Sequence, residues 1–220
     1  MQPELAGAEN LTPDGGFDPY DRAMPEAPPH ELEIHPLTRE RLPDLRALFD
    51  EGGDPKTCQC AFWRTPATGW GDWTKARNQS VLEDLASGDP APGLVAYAGE
   101  RAIGWVSIAP REDYIRLERS KVLARLDEAP VWSVVCFVVS RTWRGKGVAT
   151  RLLGAAIDYA KSHGATLVEA YPVDPSRGRV PAASAYMGPL QMFERAGFEV
   201  VERRQWNAKS PVRPIVRREL

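Results

Sequence analysis

The sequence predicts a mixed α/β fold in which helices come early, a hairpin follows, and strands then alternate with helices. Three stretches carry that reading. Residues 93–98 and 102–109 are apolar runs joined by Gly99-Glu100, which is the pattern of a β-hairpin. Residues 131–139 are almost continuously apolar, as expected of a strand covered on both faces. Residues 147–162 place Leu152, Leu153, Ala156, Ile157 and Ala160 on one helical face.

The remaining elements follow in chain order. Residues 1–30 carry frequent Pro and Gly and few large apolar side chains, so they are expected to form a flexible tail ahead of one domain over 31–220. Residues 31–35 alternate as a short strand does. Thr38 is placed to cap a helix over 39–50 that buries Leu42, Leu45, Leu48 and Phe49, and Gly52-Gly53 ends it. Residues 54–73 read as irregular and aromatic. Residues 74–87 read as a helix with Val81, Leu82 and Leu85 on one face. Residues 110–130 form a long polar connection with room for a short helix. Residues 165–171 read as a strand, 190–196 as a short helix stopped by Gly197, and 198–203 and 212–218 as closing strands.

Bulk properties narrow the function. The chain has 220 residues, 43% of them hydrophobic, and a formal net charge of -2. That suits one domain, and the near-neutral charge gives no footprint for nucleic acid or an anionic membrane. No apolar run has the length of a membrane-spanning helix, and the N-terminus lacks the pattern of a signal peptide. Three cysteines, Cys58, Cys60 and Cys136, argue against a disulfide framework and for a reduced, cytoplasmic setting. Cys58-x-Cys60 lacks the second ligand pair of a zinc site, so no metal is expected.

The chemistry concentrates between Val134 and Leu153. A buried strand runs into a turn holding Gly145 and Gly147, and an amphipathic helix starts there. The first turn of a helix leaves backbone N–H groups unpaired, its dipole favours negative charge, and glycine lets a phosphate come close. Arg144 and Lys146 add positive charge at the same place. Together these make a cradle for a pyrophosphate. Neither the Walker pattern nor the dinucleotide fingerprint is present.

These residues resemble the Gcn5-related N-acetyltransferase (GNAT) superfamily, whose signature after the fourth strand is Arg/Gln-x-x-Gly-x-Gly/Ala. The chain has Arg144-Gly-Lys-Gly147-Val-Ala149, with Leu152-Leu153 beyond, and Met192-Phe-Glu-Arg-Ala-Gly197-Phe198 is similar to the family's last motif. The resemblance implies a mostly antiparallel central sheet whose fourth and fifth strands splay apart, flanked by helices. It implies acetyl-CoA as co-substrate and an amine acceptor. The backbone of Phe137, Val138 and Val139 would pair with the pantetheine arm. Gly145, Lys146, Gly147, Val148, Ala149 and Thr150, with Arg144, would hold the phosphates. An N–H at Val138 or Val139 would polarise the thioester carbonyl.

The catalytic groups depart from the family pattern. Ser133 stands where relatives carry a base, and Phe193 where many carry a tyrosine acid. Glu169 is the remaining candidate base, one residue from the usual position, which the resemblance puts at Ala170. Tyr186 is the candidate acid, with Tyr171 as a second choice. Cys136 as a covalent nucleophile is the rival to direct transfer, but its apolar strand raises a thiol pKa. The acceptor is expected to meet residues 57–63, Trp70 and Trp73, and the Pro-rich stretch 172–189. Aromatic walls there suit an apolar or cationic amine. Arg203, Arg204, Arg213, Arg217 and Arg218 read as solvated faces of edge strands. A small-molecule acceptor, a protein terminus or lysine, and acyl-CoA binding without much turnover all stay open, as does a homodimer.

Overall fold

The computed structural model describes residues 32–66, 73–177, 182–207, 210 and 212–220. The expected tail, Trp70 and part of the Pro-rich stretch lie outside the described residues.

The hairpin forms where the Gly99-Glu100 turn predicts it. β2 (Gly93–Ala98) pairs antiparallel with β3 (Arg101–Pro110), and β1 (Leu32–Pro36) adds to the outer side of β2. β4 (Trp132–Val139) pairs antiparallel with β3 and parallel with β5 (Leu167–Ala170). β6 (Glu199–Arg204) and β7 (Arg213–Glu219) complete a seven-stranded sheet in the order β1-β2-β3-β4-β5-β7-β6. Among the paired strands of the described residues, β4–β5 is the parallel pair, because the helix between those strands returns the chain to the same edge.

The helices are α1 (Leu42–Asp50), α2 (Pro55–Cys58), α3 (Lys75–Leu85), α4 (Ile115–Glu118), α5 (Val148–Ser162) and α6 (Leu190–Arg195). The five inward positions predicted for α5 are all buried, as are the four predicted for α1. The start of α1 differs from expectation. Residues Arg39–Arg41 form a 3-10 turn, and Thr38 makes no side-chain cap. Pro43 lies in the first turn of α1, where its missing N–H costs nothing, and this sets the start three residues later. Thr74 does cap α3, accepting a bond from the Arg77 N–H at 3.3 Å. Of the three apolar residues predicted for the inner face of α3, only Leu82 is buried; the other buried position is Asn78, whose amide donates to the Thr57 carbonyl.

Side chains divide cleanly across β4. Trp132, Val134, Phe137 and Val139 pack with α5 and α6, whereas Val135, Cys136 and Val138 pack on the other face. Val135 and Cys136 are consecutive yet share a face, which is the mark of a β-bulge. The register agrees: Ser107 opposes Cys136 and Ile108 opposes Val134, leaving Val135 as the extra residue. Beyond the bulge β4 and β5 separate. They pair only at Trp132–Val168, Ser133–Glu169 and Val134–Ala170, although β4 continues to Val139.

Close packing fixes where α5 begins. A Cβ at Gly104 of β3 would lie 2.8 Å from Val148 Cγ1 and 2.9 Å from Leu152 Cδ1, so the first two turns of α5 rest on bare backbone. Gly104→Val is expected to lower unfolding free energy by about 1–3 kcal/mol through overpacking. Urea titration would measure it, and an unchanged midpoint would show that α5 does not need this approach.

Candidate active site

The Arg144 loop has the geometry its glycines suggest. Gly145 and Gly147 take φ of 72° and 77°, values that strain any residue with a Cβ. Gly147 is the N-cap of α5, and its carbonyl accepts the first intrahelical bond, from the Arg151 N–H. The N–H groups of Val148, Ala149 and Thr150 therefore have no partner inside the helix. Arg144 and Lys146 are exposed beside them. Arg144 Nε donates to the Val139 carbonyl at 3.1 Å, and Lys146 Nζ stands 5.2 Å from the Trp143 ring centroid. The loop thus joins two positive side chains to the positive end of a 15-residue helix.

The same loop borders the opened edge of β4. The Ser140 N–H bonds to the Ile103 carbonyl on β3. Backbone groups alternate along an antiparallel strand, so Val138 and Cys136 also face β3, while Phe137 and Val139 face the gap toward β5. Arg144 reaching the Val139 carbonyl fits that direction. Of the three strand residues expected to offer backbone to a ligand, Val138 is therefore turned away, and the N–H groups at the gap belong to Phe137 and Val139.

Glu169 is not placed as a free base. It is 1% exposed, its Oε1 accepts from Arg111 Nη1 at 3.0 Å and Tyr171 Oη at 2.5 Å, and its Oε2 accepts from Arg217 Nε at 2.8 Å. Two guanidiniums and a phenol occupy both carboxylate oxygens and shield them from any amine. Ala170, the position that the family resemblance gives to the base, packs against the α5 core. Tyr171 is likewise committed: its hydroxyl bonds Glu169 and meets Ser133 Oγ at 3.1 Å. Burial first, and the Glu169 charge second, push its pKa well up.

Phe193 is fully buried between Phe137 and Phe198, in edge-to-face contacts of 6.2 and 5.3 Å, so it takes no part in proton transfer. Tyr186 is better placed. The turn Ala182–Met187 packs against β4, and Tyr186 is half-buried beside Cys136. Burial raises its pKa, so at neutral pH it is a hydrogen-bond donor and not a ready proton source. It also lines a cavity of about 260 Å³ with Trp63, Leu123, Met187, Trp206 and Arg213.

The cysteines gather near Tyr186. Trp105, fully buried and edge-on to Phe49, donates its indole N–H to Cys60 Sγ at 3.1 Å. Hydrogen bonding with Cys136, then with Trp105, lowers Cys60 to about 7. The same contact with Cys60, together with burial, pushes Cys136 up, which leaves it a poor nucleophile. Burial takes Cys58 to about 11. Among the described residues no group of three or more metal-binding side chains is assembled.

The C-terminal arginines are not simply solvated. Arg217 holds Glu169 and, with two nitrogens, Asp127; Arg203 pairs with Asp174; Arg204 and Arg218 donate to the carbonyls of Ala124 and Ala196. Arg213 faces the cavity. Sequence reading also passes over Arg111, which is 1% exposed. Its position after Pro110, at the end of a strand, gives no local signal of a partner 58 residues away.

A splayed parallel pair with a glycine loop at its mouth defines an acyl-CoA-dependent transferase. The model of the Acetyltransferase (GNAT) family matches residues 58–186, over half of the chain, and the protein belongs to that family. No curated protein matches the chain. Among solved structures it is similar to a GNAT-family acetyltransferase from Streptococcus pneumoniae, at 16% identity and TM-score 0.53, covering 86% of this chain and 100% of that one. It is also similar to a polyamine N-acetyltransferase from Drosophila melanogaster, at 12% identity and TM-score 0.51, with 86% and 100% covered. A third is Salmonella typhimurium yncA with its cofactor acetyl-CoA, at 17% identity and TM-score 0.50, with 86% and 94% covered. At these identities the likeness establishes the fold. No helix among the described residues is long and apolar enough to cross a membrane.

Removing the charge of Glu169 should leave two arginines without their shared anion. Glu169→Gln is expected to cost about 3–5 kcal/mol of stability, as breaking a buried ion pair does. Calorimetric melting would measure this. A variant as stable as the parent but slow in turnover would instead return Glu169 to the chemistry.

Proposed function

We propose that this enzyme transfers an acetyl group from acetyl-CoA directly to a primary amine of a small molecule, in the cytoplasm. The observation that carries the reading is the meeting of two features at one point. The opened edge of β4, at Phe137 and Val139, ends where the anion-binding start of α5 begins. An extended arm ending in a pyrophosphate matches both together.

Gly145 to Thr150, with Arg144 and Lys146, would hold the phosphates through backbone N–H groups and charge. Phe137 and Val139 would pair with the pantetheine arm. The bound co-substrate supplies an activated thioester. The Val139 N–H is fixed by the strand and offers a preorganised donor to the carbonyl oxygen as it gains charge. The neutral amine nitrogen attacks the carbonyl carbon, the carbon–sulfur bond breaks, and the proton lost from nitrogen passes to water and on to the departing thiolate. Tyr186 donates a hydrogen bond to that sulfur. A thiol pKa near 8.5 lets the thiolate leave without full protonation.

A recess of about 260 Å³ walled by Trp63, Tyr186 and Met187 supports a small acceptor. Binding without turnover is the second reading, favoured by the burial of Phe193 and the grip on Glu169. Release of free thiol from acetyl-CoA across an amine panel separates the two.

Three outcomes follow. Gly147→Val places a β-branched residue at positive φ and is expected to weaken CoA binding about tenfold or more by calorimetry. Cys136→Ala is expected to keep turnover, and its loss with fold and CoA affinity intact would revive a covalent route. Glu169 is buried and engaged by Arg111, Arg217 and Tyr171, and does not reach the acceptor. The rate is therefore expected to rise about tenfold per pH unit up to the acceptor's own pKa, without a break in the carboxylate range.

A further inference from the structure

Two thiols meet on the face of the sheet away from α5, and the transfer proposed above uses neither. Trp105 and Ser107 share that face of β3, and the register sets Val138 opposite Trp105 and Cys136 opposite Ser107. The extra residue at Val135 is what turns Cys136 this way. In a strand without it, Cys136 would follow Val134 onto the α5 face. Cys60 belongs to the same buried cluster as Trp105, and Cys136 packs against that cluster.

A constrained turn delivers Cys60 to this place. Gln59 and Cys60 take φ of 48° and 57°, both in the left-handed region. The turn is held there from several sides. Gln59 Nε2 donates to the carbonyls of Pro55 and Lys56 at 3.2 and 3.0 Å, and the Ala61 N–H bonds to the Cys58 carbonyl. Such backbone persists only where its surroundings over-determine it. Cys60 is 6% exposed, and its sulfur accepts the Trp105 indole N–H at 3.1 Å. An indole can only donate, so this bond is strongest when the sulfur carries negative charge. Cys136 hydrogen-bonds to the same sulfur while keeping its own proton, and the Arg64 guanidinium adds positive charge nearby. The other titratable groups that feel this sulfur are the Cys58 thiol and the Tyr114 and Tyr186 hydroxyls, all held neutral by burial.

We propose that Cys60 and Cys136 are a peroxide-reactive thiol pair that closes a disulfide between the Gln59–Cys60 turn and β4. The assignment is separate from acetyl transfer and holds whether or not an amine is acetylated. The Cys60 thiolate attacks one oxygen of hydrogen peroxide and the O–O bond breaks. Cys60 becomes a sulfenic acid, and the hydroxide released takes up a proton to become water. Cys136 resolves it, because it already meets the Cys60 sulfur. The Cys136 sulfur attacks the Cys60 sulfur, its proton passes to the departing hydroxyl, the S–O bond breaks and a second water leaves. Two thiols thus lose two electrons to one peroxide, giving one disulfide and two waters.

The test treats the full chain with a small excess of hydrogen peroxide, alkylates the remaining thiols, and maps the digested protein by mass. A Cys60–Cys136 crosslink is expected, two hydrogens lighter than the unlinked peptides and opened by dithiothreitol, with Cys58 alkylated. Cys58→Ser should close the same bridge at the parent's rate. In Cys136→Ser, where the resolving thiol is gone, Cys60 is expected to gain one oxygen. The rate of bridge formation in the parent should rise about tenfold from about pH 6 to about pH 8 and then level, as the thiolate fraction of a group near 7 does.

A Cys58–Cys60 bridge in the parent overturns the proposal, as do three alkylated thiols after a treatment that oxidises the protein's methionines. A rate that keeps climbing well past about pH 8, as that of an ordinary thiol near 8.5 does, also overturns it. So does Cys60 left unoxidised in a folded Cys136→Ser. Melting curves check the fold of both variants. Where Cys136→Ser fails to fold, the crosslink map and the pH profile of the parent decide the matter by themselves.

Discussion

One buried carboxylate holds the sheet closed at the end where it must not open. Glu169 on β5 takes Arg111 from the end of β3 and Arg217 from β7, while Tyr171 ties it to Ser133 on β4. Four strands therefore meet at one charge. Bringing such ions out of water costs several kcal/mol each, and the cost is offset here because both carboxylate oxygens and several guanidinium nitrogens are bonded. Arg111 alone also reaches Glu118 and the Leu123 carbonyl. Parallel strands pair less strongly than antiparallel ones, and β4 and β5 share only three register pairs. Without a clamp at the closed end, the separation at the open end would have little to pivot against.

The open end is set by packing and not by charge. Gly104 lets Val148 and Leu152 approach β3, so the first turn of α5 is fixed relative to the free edge of β4. The exposed arginine and lysine of the loop add attraction for phosphate, which salt screens, but the direction of the backbone N–H groups comes from the helix. The acceptor side is built differently. It is walled by segments distant in sequence, from Trp63 to Arg213, on the face of the sheet away from α5.

Much of this was legible in the sequence wherever the signal is local. The hairpin follows from its turn, α5 from its 3.6-residue period, and the loop from two glycines before an apolar helix. The start of α1 departs from the local cap signal at Thr38 because Pro43, in its first turn, sets the helix to begin at Leu42. The clamp was not legible at all: Glu169, Arg111 and Arg217 are separated by 58 and 48 residues, and each looks locally like an ordinary strand charge. For the same reason the C-terminal arginines read as solvated. The Cys60–Trp105–Cys136 contacts join three parts of the chain and leave no periodic trace. Local pattern encodes which face a residue takes, but not which distant charge it finds there.

The extra residue at Val135 has a consequence for how this strand is compared with others. Ahead of it the α5-facing side chains are even-numbered, Trp132 and Val134; after it they are odd-numbered, Phe137 and Val139. The strand therefore carries two reading phases. Counting by twos from Ser133 reaches Phe137 and Val139, on the face opposite to its own, whereas counting back from Val138 reaches Cys136 and then Val134. Any correspondence drawn across β4 holds on only one side of the shift. A group assigned from the glycine loop backward and one assigned from Val131 forward must be placed separately before they are said to face the same substrate.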